Sequence, residues 1–138
     1  MKSILFFAAV FFLSWNCLAQ QTFKLEIKGV KKHGGTVYVS LFNTEKSYKN
    51  KEVFLSKKID ASNETLYMQM QLPRGEYFFS VFQDNNGNGK LDTNLVGIPK
   101  ELVGLSNYDG KNIPGNFNRH KVLVNETTKL VTVHLYQI

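Results

Sequence analysis

The chain has 138 residues, a formal charge of +6, aromatic residues at 13% and a single cysteine. One cysteine excludes a disulfide framework and a thiolate metal site, and the length suits a single domain around one core. The mild positive excess fits solubility or contact with anionic surfaces and lacks the clustering of a nucleic-acid binder.

Lys2, an apolar run over residues 4–13 and a small residue at Ala19 before Gln20 follow the order of a cleaved secretory signal. The run is shorter than the roughly 20 residues of a membrane-spanning helix, and no other segment approaches that length. Cys17 would be the attachment point of a lipoprotein, but Asn16 stands where such signals carry a small residue. Cleavage after Ala19 is therefore expected. Removing residues 1–19 from 138 leaves 119, takes away the only cysteine and, with Lys2, lowers the charge from +6 to +5. The expectation is a signal peptide over 1–19 and one domain over 20–138, exported to the periplasm, the cell surface or the medium.

Residues 23–28 alternate Phe23, Leu25 and Ile27 with Lys24, Glu26 and Lys28, the period of a half-buried strand. A turn at 31–35 leads to a second alternating run over 36–42, and the pair predicts a hairpin. Residues 43–58 are polar and lysine-rich around a short apolar stretch at 53–55, which predicts a loop and a weak edge strand guarded by lysines. Leu66, Met68, Met70 and Leu72 form the next inward set, with the methionines as core filler. After the turn at 73–75, Tyr77, Phe79 and Val81 share one face and Phe78, Ser80 and Phe82 the other, which predicts a central strand. Two strands close the chain, the last with Val131, Val133 and Leu135 inward. No window has a helical period. The fold class predicted is all-β: a β-sandwich of about seven antiparallel strands, immunoglobulin-like or transthyretin-like, with one long Gly/Pro/Asn-rich loop over roughly 84–119.

One motif carries chemistry. Residues 84–92, DNNGNGKLD, set Asp84, Asn86 and Asn88 at alternate positions, then the carbonyl of Lys90 and the side chain of Asp92, with Gly89 at the bend. Calcium takes six to eight oxygen ligands, and a loop alternating ligand with spacer wraps them about one point. Leu95 occupies the position of a closing glutamate, so remaining oxygens would come from Glu101, Asp109 or water. With two carboxylates in the loop the expected Kd is on the order of 10⁻⁴ to 10⁻³ M. A tight Asx-rich turn would read the same way.

The loop beyond it holds Ile98, Leu102, Leu105, Tyr108 and Phe117, which favour packing over disorder. Tyr108 and Phe117 are candidates for a stacking platform that binds a glycan or another cell-envelope ligand without metal. Ser106 lies in no strand-to-helix elbow, and His33, His120 and His134 have no zinc spacing, so no catalytic constellation is legible. The expectation is a non-enzymatic protein whose calcium loop orders a partner-binding loop.

The joined run of Pro-Arg-Gly-Glu-Tyr, the DNNGNGKLD loop and GIPKE before GLSN resembles the signature of the domain-of-unknown-function 2141 family, small exported bacterial proteins. The likeness extends from about Phe23 to the C-terminus. It implies a β-sandwich and export, and supplies no activity. Leu105 stands where the family tends to have an aromatic, and Asn85 and Asn86 where an acidic residue is frequent, which lowers the loop's charge.

Overall fold

A computed structural model describes residues 19–138, and the expected signal segment therefore lies almost wholly outside the described residues. Eight strands form two sheets. The first sheet holds β1 (Gln20–Lys28) between β4 (Thr65–Pro73) and β8 (Leu130–His134). The second holds, in order, β3 (Leu55–Asp60), β2 (Thr36–Phe42), β5 (Gly75–Asp84) and β6 (Val103–Leu105), with β7 (Val122–Val124) pairing the start of β5. The alternation has the consequence expected of it: Leu25, Ile27, Val131 and Val133 from one sheet meet Val37, Val39, Phe79 and Val81 from the other in one core. Phe23 and Phe79 touch edge to face across it, 6.2 Å between centroids.

The expected hairpin of the first two strands does not form. β1 and β2 lie in different sheets, so the turn at 29–35 is a crossing over the end of the core. Its backbone N–H groups go elsewhere: Val30 donates to Glu64 and His33 to Ala61. Gln83, fully buried, clamps the turn by accepting from Lys31 N–H at 2.8 Å and donating to the carbonyls of Lys31 and Gly34. A hairpin and such an arch leave the same alternation in the strands, and only these long-range bonds separate them. The antiparallel expectation fails at one place as well, because β1 and β8 run parallel.

β5 is central, as its two apolar faces predict, and β3 is an edge strand carrying exposed Lys57 and Lys58. That edge begins at Leu55, whereas Val53 and Phe54 precede it and are exposed. Two short helices contradict the expectation of none: α1 (Glu45–Lys49) and α2 (Phe117–His120). Each is too short to show a period. They are legible instead in their caps, Thr44 accepting from Ser47 N–H and Asn116 from Arg119 N–H. The long stretch after Asp84 is likewise divided by β6 and α2.

On the outer face of the first sheet Glu26, 8% exposed, accepts from Thr132 at 2.8 Å and Tyr67 at 3.1 Å, with Lys28 at 3.4 Å. The Thr132 hydrogen bond, then those of Tyr67 and Lys28, holds its carboxyl below the usual 4.5. A carboxylate whose folded pKa is depressed adds stability above its unfolded pKa, and loses it as pH falls through the folded value. Urea melts from about pH 6 to about pH 3 should therefore show the gap between wild type and Glu26→Gln closing on the acid side of 4.5. A gap independent of pH would remove Glu26 as the titrating group.

Candidate functional site

Asp84 ends the central strand and is 1% exposed. Its two carboxylate oxygens accept the N–H groups of Gly87 at 2.8 Å and Gly89 at 2.7 Å, so the loop folds back over the residue that begins it. Gly87 and Gly89 have φ of +74° and +72°, the left-handed backbone that glycine adopts at low cost. Two Asx turns follow: the Asn86 side-chain carbonyl accepts from Asn88 N–H at 3.1 Å, and that of Asn88 from Lys90 N–H at 2.9 Å. The amide groups of Asn86 and Asn88 then both donate to Asp92, at 2.6 to 3.1 Å. Asp84, Asn86, Asn88, Lys90 and Asp92 thus lie in one small loop, as their spacing predicts.

Glu101, 4% exposed, reaches the same loop from the strand side. One oxygen accepts from Asn85 N–H at 2.9 Å and the other from Asp92 N–H at 3.2 Å, which ties the base of the loop shut. Among the described residues no three His, Cys, Asp or Glu side chains form a metal-holding group, and no ion pair within 4.0 Å involves Asp84 or Glu101. Two buried carboxylates are therefore held by backbone N–H groups alone. Asp109 accepts from Lys111 N–H at 3.0 Å.

Between Asp92 and Glu101 the chain makes a small hairpin. Lys100 N–H donates to Asp92, Asn94 N–H to Ile98, and Thr93 bridges Pro99. Its tip exposes Leu95 and Val96, and its side exposes Ile98. This hairpin is one wall of an apolar groove of about 580 Å³ laid over the outer face of β5 and β6. Ser80, Phe82, Val103 and Leu105 line it from the sheet, and Ile113 and Pro114 line it from the later loop. The groove escaped the reading of the sequence, which named Ile98 and Leu105 as packing residues but neither Val96 nor Ile113, both of which line it.

Tyr108 and Phe117 are buried, at 9% and 4% exposure, which corrects the expectation of a stacking platform. Tyr108 packs near-perpendicular to His120 and Tyr136, and Phe117 stacks on Phe78. Neither ring has a free face. They pack because the 106–121 segment is bolted down from within. Ser106 donates to the His120 carbonyl at 2.6 Å and accepts from Phe79 N–H, while the buried His120 ring accepts from Gly115 N–H at 2.8 Å. Ser106 and His120 are thereby spent on structure. His33 and His134 lie elsewhere, in the crossing turn and stacked on Tyr136.

A family model described as an uncharacterized protein conserved in bacteria (DUF2141) matches residues 25–132. No curated protein and no solved structure matches the chain.

Proposed function

The chain belongs to that family of uncharacterised bacterial proteins, which assigns it no activity, and we propose that it is an exported, non-enzymatic binding module whose 84–92 loop takes calcium and thereby stiffens the adjoining hairpin for contact with a partner. Its two sheets would then make a β-sandwich of the immunoglobulin-like or transthyretin-like kind. The observation that carries the ion is the pair of buried carboxylates, Asp84 and Glu101, neither of which has a cationic side chain within 4.0 Å among the described residues. Burying charge without a counter-charge is costly, and a cation at the loop offsets it. The Asx turns use one lone pair of each asparagine oxygen and leave the second for a metal. Asp84, Asn86, Asn88, the Lys90 carbonyl and Asp92 supply the protein oxygens, with water completing the shell. Glu101 acts from the base, holding the loop and the hairpin in one piece.

Export fits the fold boundary: β1 begins at Gln20, one residue beyond Ala19, so cleavage there removes no residue of either sheet. It also places a weak loop where calcium is plentiful, in the periplasm, at the cell surface or outside. N-terminal sequencing of the processed protein should begin at Gln20.

With a Kd on the order of 10⁻⁴ to 10⁻³ M, about 10 mM calcium adds about 1–3 kcal/mol by linkage. Thermal melts should therefore rise by roughly 5–10 °C, return with chelator, and lose the response in Asp84→Ala. An unchanged Tm in calcium would leave the loop a self-satisfied Asx turn. The alternative of a glycan site on Tyr108 and Phe117 has no exposed ring to stack a sugar on. Ligand binding without metal passes instead to the groove.

A further inference from the structure

We propose that the free edge of β4 is the interface of a homodimer, in which β4 of one copy pairs antiparallel with β4 of a second copy about a two-fold axis through Gln69. The inference goes beyond the function proposed above and needs neither the ion nor the groove.

β4 is the outer strand of its sheet, paired with β1 on one side only. Among the described residues the backbone of 66–72 makes no hydrogen bond outside that ladder. An open edge invites another chain, and monomeric proteins guard such edges with charge, proline or shortness. β3 is guarded by Lys57, Lys58 and Asp60. β4 is not: its nine residues, TLYMQMQLP, hold no charged side chain, and its one proline comes last.

The hydrogen bonds of β1 fix which groups of β4 face outward. Lys24 N–H donates to Lys129, just before β8, and the Lys28 carbonyl accepts from Leu135 N–H just after it. Lys24 and Lys28 therefore turn their backbone groups toward β8 and away from their β4 partners, Gln69 and Thr65. Such residues form the non-hydrogen-bonded pairs of an antiparallel ladder, in which both members turn N–H and C=O away from each other. Gln69 thus directs its backbone groups off the sheet, and by alternation so do Tyr67 and Gln71. Pro73 has the same parity but no N–H, and its carbonyl already accepts from the Tyr77 hydroxyl at 2.9 Å. It closes the free set at one end, leaving that set centred on Gln69.

The centring favours a second copy. A two-fold at Gln69 sets Gln69 opposite itself and Tyr67 opposite Gln71, so each copy's three free N–H groups meet the other's three carbonyls. An isologous interface requires such self-complementarity. The side chains agree with it, Leu66 meeting Leu72 and Met68 meeting Met70 on the core face, with no like charges opposed. A foreign strand would use the same backbone groups but has no need of a set centred on one residue. Nine residues a side is well below the roughly 20–30 of a standard interface, so a weak dimer is expected, with Kd of roughly 1–100 µM. Lys57 of β3 lines the hollow beside Gln69, Met70 and Gln71, and its charge opposes that of its copy, so added salt should tighten the dimer.

The test is sedimentation velocity of the purified protein from about 1 to about 500 µM, where a reversible monomer–dimer equilibrium is expected. Gln69→Pro should abolish the dimer while Tm stays within about 5–10 °C of wild type, because the N–H it removes faces outward and no bond to β1 is lost. Gln69→Lys, which sets like charges opposite each other across the axis, should weaken it about tenfold or more. In a Cys17→Ser background, Gln69→Cys should cross-link to its copy on mild oxidation, since the members of a hydrogen-bonded pair lie about 5.5 Å apart, within reach of a disulfide. Gln71→Cys, opposite Tyr67, should not. A monomer throughout the concentration range, or a dimer that Gln69→Pro and Gln69→Lys leave unchanged, overturns the proposal. Cross-linking at 71 but not at 69 overturns the axis through Gln69. A dimer that salt dissociates is held by ion pairs elsewhere and overturns the β4 seam.

Discussion

Gly35→Ala is expected to lower the unfolding free energy by about 2–5 kcal/mol, through backbone strain and overpacking together. Gly35 has φ of +92°, and a Cβ there would run into the carbonyl oxygen of Asp84. The obstacle is backbone, in the central strand, and cannot rotate away. The crossing turn would have to lift, pulling on the Gln83 clamp and on the bond from Ala61 N–H to Gly35. Because Asp84 roots the 84–92 loop, the variant should also lose part of any calcium response. Gly97→Ala is the matched control: its φ is +83°, but nothing lies within 4 Å of the added carbon. It should cost only about 1–2 kcal/mol. Urea denaturation of both variants checks the difference; equal midpoints would mean that conformation alone, not the approach of turn to strand, requires glycine at Gly35.

Phe78→Ala should cost about 3–5 kcal/mol, the usual loss for a fully buried phenylalanine. Phe78 is 0% exposed yet does not belong to the core between the sheets. It points to the outer face of β5, where Phe42, Tyr48, Phe117 and His120 surround it. These rings join β2, α1 and α2 to the central strand. The substitution should therefore unlock the 106–121 segment, and with it the Ile113 wall of the groove, before the two sheets separate. Hydrogen exchange should show amides of residues 106–121 opening at lower free energy than those of β1 and β2. Uniform acceleration throughout would mean the outer cluster is not a separate cooperative unit. For a domain of this size, stabilised by about 5–15 kcal/mol, either variant removes a large share.

The loop at 84–92 was legible because its geometry is local. Asx turns span two residues, glycines supply the left-handed positions, and Asp84 reaches only to Gly87 and Gly89. Glu101 was named as a candidate partner, but its role as a brace depends on Asn85 and Asp92 being brought side by side. Tyr108 and Phe117 were misread for a related reason. An aromatic residue in a Gly/Pro-rich loop has the same sequence neighbourhood whether it faces water or, as here, folds back onto Phe78, His120 and Tyr136.

By itself the sequence determined the inward sets of the strands, the centrality of β5, the guarded edge at β3, the Asx-rich loop and the family. Each depends on period two, on turn chemistry or on short-range hydrogen bonding, which act between residues close in the chain. Only the tertiary structure decided that β1 and β2 part into different sheets, that β1 and β8 run parallel, and that residues of two separate loops line one groove. Those outcomes rest on contacts between residues far apart in sequence, and alternation specifies which face of a strand is buried without specifying which strand lies beside it.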